Sequence, residues 1–465
     1  MLTAIVILYF ILMLTVGVVI ARRVKRASDF LVAGRQLGLI LTTASLAAVQ
    51  IGAGVILGGA EMGAENGLWP GMWYGLGCGG GLILAGLFAA TKLRSMSGFV
   101  PLDFFGERYG ERRWIRVWAW LSNIPSLLGI FVAQIMAAGS VLAIFGLDYE
   151  KALLLVGVVV MFYCVMGGMW GVVTADFIQV SIVMIGIPLV AAMAVWKMGD
   201  VNVVGQLMAT PFIPPGLGSK AVFLIVPFLL SISVSYDAFI RYQAARSAQI
   251  AKWGCILAGL MVIFISFCTG MVGAVGKRIF PDVANASVLP RIIQATLNPV
   301  MAGIVVSALL AAAMSCASCL LISLSGCFSR DLYNKVFNPH AQLDDLKYSK
   351  LISRSVVVGA LIVGVIVALK AKGILYTMII FNYPYMGSML VPLLGGVLWK
   401  RATFKGAIAA MFVGGVIGVG AFLVGLPGKL QGSFNVDLGL FIAYAVSSVV
   451  LVIVSLFTAE RRRSR

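Results

Sequence analysis

The sequence predicts an all-α, polytopic membrane protein, and three observations carry that reading. Of 465 residues, 61% are hydrophobic and only 11% are charged, with a mean hydropathy of +1.03. A soluble globule of this length has too little interior to hide that much apolar side chain. The apolar residues also fall in runs of about 20 or more, the length that crosses a hydrocarbon core roughly 30 Å thick. Such runs far exceed the roughly 10-residue alternating strands of a membrane barrel. Only helices and closed barrels satisfy their own backbone in lipid, so the spans are helical.

About thirteen spans are expected, near 2–21, 37–62, 67–91, 115–145, 150–170, 174–197, 219–241, 253–276, 297–328, 352–369, 374–398, 404–425 and 433–457. No basic residue precedes the first, and "RRVKR" follows it, so it reads as an uncleaved helix with its N terminus outside. The second, around "SLAAVQIGAGVILGGAE", carries Gln50, Gly52 and Gly54 at mid-depth, which weakens a helix where lipid offers no other partner for the backbone. Either the glycines admit a neighbouring helix and Gln50 bonds across it, or the helix is broken there and presents carbonyls and helix ends to an ion and a solute. In the third span "GCGGGL" lacks the Gly-Lys-Ser/Thr of a phosphate loop and reads as close helix packing. The fifth and sixth meet at "GGMWGVVTADFIQ", where Asp176 either caps the next helix or holds a cation. The seventh holds Asp237 and Arg241, spaced as an internal helical ion pair. In the ninth, Ser315, Ser318 and Ser325, with Cys319, form a polar stripe that either bonds back to its own helix or faces a ligand. The remaining spans rest on length and apolarity.

An external N terminus and thirteen spans place "RRVKR", "KLR", "ERYGERRWIR", "RYQAARSAQIAK", "SRDLYNKV", "WKRATFK" and "ERRRSR" on the cytoplasmic side. That side then holds 26 of the 35 Lys and Arg, as the positive-inside rule requires. The net charge of +18 therefore tracks anionic lipid at the inner leaflet of a plasma membrane, bacterial inner membrane being the expected setting. Nucleic acid is not expected as a partner, because the basic residues are dispersed among loops. The single histidine, His340, gives a His-based metal site or proton relay nothing to build on. Seven cysteines, all in or beside apolar spans, read as packing residues rather than disulfides. "NAS" at Asn285 is a glycosylation acceptor only in a eukaryotic secretory pathway. No catalytic cluster lies at depth, so an enzyme is not expected, and a channel would need a continuous polar pore.

Seven stretches in order resemble the sodium/solute symporters. They are "SDFLVAGRQLG", the Gln50 segment, "GGMWGVVTADFIQ", "RYQAARS", "AAAMSCASCLLISLSGCFSRDLY", "LISR" and "WKRATFKGAIAAMFVGG". From Asp29 to Arg94 the chain looks most like the high-affinity choline transporter branch and its bacterial relatives. The resemblance implies a LeuT-type core of two inverted five-helix repeats, at 37–197 and 219–398. Residues 1–36 would form a peripheral first helix and loop, 198–218 an external loop, and 399–465 two peripheral helices and a basic tail. The first helix of each repeat would be broken, at Gln50 to Gly54 and within "SVSYDAFIR".

By the same resemblance, the coupling ion is sodium, held by the carbonyls of Ala48, Ile51 and Ala312, the hydroxyl of Ser315 and the position of Cys316. A thiol is a poor sodium ligand, so Cys316 departs from the pattern, as does Cys319 in a second ion or proton site with Asp176 and Ser318. Substrate residues would be Gln50, Gly54, Trp69, Trp73, Gln134, Tyr236, Asp237, Phe239, Asn382 and Tyr385. Aromatic faces and one carboxylate suit a cationic or zwitterionic amine, with a neutral polar solute and a carboxylate as alternatives. The expected activity is secondary active import of a small polar organic solute by sodium symport with alternating access, with no other cofactor. Proton coupling through Asp176 is the alternative driver, and a solute-sensing receptor the remoter one, since "TAERRRSR" leaves no room for a kinase.

Overall fold

A computed structural model describes residues 2–96, 98, 100–144, 146–199, 202–345, 348–371, 374–425 and 435–459. The described residues are predominantly helical, and among them the β contacts are confined to a bridge between Leu37 and Ala245. In chain order the helices are α1 (Leu2–Ala21), α2 (Ala27–Val32), α3 (Leu39–Gln50), α4 (Gly59–Asn66), α5 (Leu68–Leu84), α6 (Ala90–Arg94) and α7 (Pro101–Tyr109). Then follow α8 (Arg113–Ile144), α9 (Tyr149–Met198), α10 (Val203–Met208), α11 (Gly218–Ser231), α12 (Tyr236–Ala244), α13 (Ala248–Ile279) and α14 (Val288–Thr296). The last are α15 (Pro299–Gly326), α16 (Ser349–Lys370), α17 (Ile374–Leu398), α18 (Phe404–Gly425) and α19 (Asn435–Ala459).

Among the described residues, 8 helices are long and apolar enough to cross a membrane, or up to 10 if each of two bent pairs is one span. Reaching the expected thirteen requires dividing α9 and adding the shorter apolar stretches Pro384–Leu398 and Phe404–Gly420. Helix α9 does divide. Its 50 residues would rise about 75 Å at ~1.5 Å each, more than twice the hydrocarbon thickness. The chain turns at Gly168 (φ 50°, ψ −145°), a conformation that disfavours a side chain, and a Cβ there would stand 2.7 Å from the Phe30 ring. Helix resumes directly after this break, so Asp176 lies in a helix interior and not at a cap, a correction to the capping alternative. The conformational work of the glycine-rich stretch is concentrated in that one residue.

Both expected breaks are present as bends. Helix α3 ends at Gln50, Ile51 leaves helical geometry (φ −81°, ψ 63°), and a π-helical turn, Gly54–Gly58, leads into α4 at 58° to α3. Ser235 is extended (φ −62°, ψ 149°) between the Gly218–Val234 stretch and α12, which meet at 40°. The Pro299–Phe337 span is 94% buried while that of α16 is 28% buried, so α15 is the central post of the bundle and α16 lies at its edge. Helix α1 packs on α9 and α15 from outside: Gln179 donates to Tyr9 Oη (2.8 Å), and Tyr9 Oη reaches Met314 Sδ (3.7 Å).

Glycines set how closely α4, α5 and α13 approach. A Cβ on Gly273 would lie 2.0 Å from the Ala60 carbonyl oxygen, and one on Gly71 would lie 2.7 Å from Gly270 Cα. The neighbour is backbone in both cases and cannot rotate away. Gly273→Val should therefore force α13 off α4, with overpacking costs of about 1–3 kcal/mol. The check is the midpoint temperature for loss of the monodisperse chromatographic peak in detergent; an unchanged midpoint would contradict this packing. The glycines of "GCGGGL" act alike, with Gly79 against the Gly259 carbonyl and Gly77 against those of Leu224 and Ile225.

Candidate ion and solute site

The break between α3 and α4 is held open by its neighbours. Gln134 of α8 accepts a hydrogen bond from the Ala53 amide through Oε1 (2.9 Å), satisfying a donor that the interrupted helix leaves free. A Cβ on Gly52 would lie 2.9 Å from that same oxygen, so glycine is what lets Gln134 reach the backbone. On the other side Ser315 Oγ lies 3.2 Å from the Ala48 carbonyl and 3.0 Å from that of Ala312. Three of the oxygens expected around sodium are thus gathered at one point between α3 and α15. Ile51, the fourth, has left the helical ladder at the residue where its carbonyl is wanted. Oxygens of this kind suit a hard cation.

A cavity of about 60 Å³ lies between the two breaks. Gln50, Gly54, Gln134, Tyr236, Asp237, Asn382 and Tyr385 line it, together with Asn123, Ser126 and Cys316. Gln50 Nε2 donates to Asp237 Oδ2 (3.2 Å), joining the two broken helices across the cavity. Ser126 Oγ donates to Asn382 Oδ1, and Tyr385 Oη donates to the Val234 carbonyl (2.7 Å) at the second break. Small-molecule sites run to roughly 300–1,000 Å³, so the helices must part to admit an organic solute.

Three expected solute residues lie outside this lining. Trp69 and Trp73 turn their indole N–H groups to the carbonyls of Thr210 (2.9 Å) and Phe212 (3.2 Å), and so pack the connection after α10 against α5. Phe239 is buried in α12 away from the cavity. An aromatic residue in an apolar span satisfies packing and binding patterns equally, and the sequence does not separate them. Cys316, expected at the sodium position, is among the residues lining the solute cavity, one residue further round α15 than Ser315.

The serine stripe of α15 is divided in its partners. Ser318 Oγ donates to the Ser315 carbonyl (2.8 Å) and Ser323 Oγ to that of Cys319 (2.9 Å), both within their own helix, while Ser325 Oγ donates to Ser353 of α16 (3.0 Å). Ser315 is the one that reaches across to the broken helix.

Asp176 is fully buried and accepts from Ser45 Oγ (2.6 Å), with the Cys319 thiol at 3.6 Å. Arg241 is equally buried, its Nη2 4.0 Å from Asp176 Oδ2. The expected Asp237–Arg241 side-chain pair is not formed: Arg241 Nη1 donates to the Asp237 main-chain carbonyl (2.6 Å), and the guanidinium points at Asp176. Helical spacing brought the two residues to one face and could not show that a carboxylate from α9 competes for the arginine.

A second charged cluster lies between the cavity and the basic-loop end. Arg116 pairs with Asp103 (2.9 Å), Asp331 (2.8 Å) and Glu111, Arg330 pairs with Asp103 (3.1 Å), and Tyr236 Oη donates to Asp331 Oδ2 (3.0 Å). Sequence reasoning missed Arg116, Asp103 and Asp331, which lie in loop-like stretches rich in both charges. It also missed Asn123, whose buried side-chain amide faces the cavity with no hydrogen-bond partner in the protein. An asparagine two positions before Pro125 inside an apolar span was the available signal.

The chain is similar to known membrane transporters in sequence and in fold. Over 439 residues the chain is 25% identical to the sodium/proline symporter of Escherichia coli, covering 87% of this chain and 84% of the relative. It is 26% identical over 352 residues to the sodium/pantothenate symporter of Haemophilus influenzae, covering 72% and 70%, and 24% identical over 448 residues to the high-affinity choline transporter 1 of Torpedo marmorata, covering 88% and 74%. A Na+-coupled sialic acid symporter in a substrate-bound outward-open state shares the fold, with a TM-score of 0.78 at 18% identity, covering 98% of each chain. The model of the sodium:solute symporter family matches residues 30–414, and with that match spanning most of the chain, this protein is a member of the sodium:solute symporter family.

Proposed function

We propose that the protein imports a small polar organic solute together with sodium, binding both at the breaks in α3–α4 and α11–α12. The observation that carries this reading is the convergence of Ser315 Oγ with the carbonyls of Ala48 and Ala312 at the same end of α3 whose Gln50 bridges to Asp237 across the solute cavity. Sodium bound there, with Ile51 completing the carbonyl set, holds α3 against α15 and so fixes the wall of the solute site. The solute is an amine or amino-acid-like compound, met by Asp237, Gln50 and the unpartnered Asn123 amide.

The two repeats run over 37–197 and 219–398, with their breaks facing each other across the membrane midplane. Basic loops lie in the cytoplasm of a bacterial cell, the N terminus outside and the C terminus inside.

Thermal stabilisation of the purified protein tests the reading. Amines, amino acids, sugars, polyols and carboxylates are each screened in sodium and in potassium, since a ligand of the folded state raises its melting temperature by mass action. A sodium-dependent amine or amino-acid hit supports the proposal; a hit indifferent to sodium defeats it. Ser315→Ala, which removes one ion ligand worth about 1.5 kcal/mol, should raise the half-saturating sodium concentration roughly tenfold. Unchanged sodium dependence would sink the site assignment.

A further inference from the structure

We propose that Arg241 is a tethered cation for Asp176, so that this carboxylate takes neither a second coupling ion nor a proton, and one sodium accompanies each solute. The identity of that one ion rests on the reading above; the pairing of Arg241 with Asp176 does not.

Both side chains are completely buried, at 0% exposure each. A lone carboxylate in that position must neutralise itself by taking up a proton or a cation, because burial of an unpaired charge is prohibitive. Here the cation is already covalently present. Guanidinium keeps its charge at any physiological pH. Its placement is fixed at three points: Nε donates to Ser45 Oγ (2.8 Å) and to the Ser45 carbonyl (3.2 Å), and Nη1 donates to the Asp237 carbonyl (2.6 Å). Ser45 Oγ in turn donates to Asp176, so a single hydroxyl relays between the acid and the base. Nη2 has no hydrogen-bond partner in the protein and lies 4.0 Å from Asp176 Oδ2, the remaining donor turned to the carboxylate.

The other groups around Asp176 make poor company for sodium. Cys319 presents a thiol where a hydroxyl would serve a hard ion, the adjacent Ser318 spends its hydroxyl on the Ser315 carbonyl, and Ser45 Oγ is already shared between Asp176 and Arg241. The further titratable groups facing the carboxylate are the thiols of Cys164 and Cys316 and the phenols of Tyr9 and Tyr163. A sodium ion added at Asp176 would sit beside a guanidinium that cannot leave. The arrangement links α9, α3 and α12 through charge rather than through a mobile ion, and leaves the Ser315 position as the place where sodium can come and go.

The test uses full-length protein in detergent, with sodium alone as the probe and melting temperature as the readout. Wild type should show a hyperbolic sodium dependence. Arg241→Gln exposes the acid's need for a cation, so this variant should gain either a second, sigmoidal sodium response or a step in stability with pH that wild type lacks. Adding Asp176→Asn to it should abolish the gain. Because Arg241→Gln removes a buried charge, a stability cycle provides a second measure: Asp176→Asn alone strands the guanidinium and should melt well below the Arg241→Gln/Asp176→Asn double variant.

A sigmoidal sodium response in wild type that Asp176→Asn removes would overturn the tether. So would a double variant no more stable than the summed single losses. Absence of any sodium response in wild type would fail the sodium reading alone, with the pH arm and the cycle still deciding the tether.

Discussion

Replacing Arg116 with methionine should lower the stability of the folded protein by about 3–5 kcal/mol, the usual cost of stranding a buried charge. Arg116 is 3% exposed and contacts two carboxylates that are 4% and 0% exposed, so solvent cannot compensate for its loss. Asp103 retains Arg330, while Asp331 keeps the hydroxyl of Tyr236. Asp331→Asn in the Arg116→Met background should therefore recover a large part of the loss, and Asp103→Asn less. Thermal melts of the four proteins in detergent decide the matter. Equal stability of Arg116→Met and wild type would mean the network is solvated and not a fastener between α7, α8 and the π-helical stretch Cys327–Phe337 that continues α15.

Asp237→Asn should weaken solute binding about a hundredfold, near 3 kcal/mol, if the solute carries an ammonium group. The carboxylate lines the cavity, its Oδ2 accepts from Gln50, and Arg241 contacts its main chain rather than its side chain, so its charge is available to a ligand. Sodium binding measured without solute should change little, because the expected ion ligands lie on α3 and α15. The sign is informative. A carboxylate solute would bind Asp237→Asn more tightly than wild type, and a neutral polyol would bind the two within a few-fold. Titration of both proteins with the hit from the thermal screen reads the solute's charge from the direction of the shift.

Much of the fold was legible because lipid imposes a coarse code. Long apolar runs have one backbone solution, and glycine at mid-depth beside Gln50 marked the first bend at the right residues. The division of α9 was legible too, though the glycine-rich stretch did not reveal that Gly168 alone carries the non-helical geometry. Ser315 was legible from its family pattern, and its place beside Ala48 follows from the crossing of α3 and α15.

What escaped was orientation about a helix axis. Ser315 and Cys316 are neighbours in sequence yet face different neighbours, and one position is about 100° of rotation. Trp69 and Trp73 turned to a connection whose path no local pattern encodes. Arg241 escaped for a different reason: its partner Asp176 is 65 positions away in the chain, and a four-residue spacing offered a nearer candidate that the folded protein does not use.

Tyr236 occupies two roles with one side chain. It forms part of the cavity wall, and its hydroxyl holds Asp331 in the ion network toward the basic-loop end. Any occupant that shifts this ring changes the energy of the Asp331 contact, and by reciprocity any loosening of that contact changes the affinity for the occupant by the same factor. A carrier with separate load sensor and latch can leak, because either part can act alone. Here the cavity wall and the ion network share one side chain, Tyr236, so neither can move without the other.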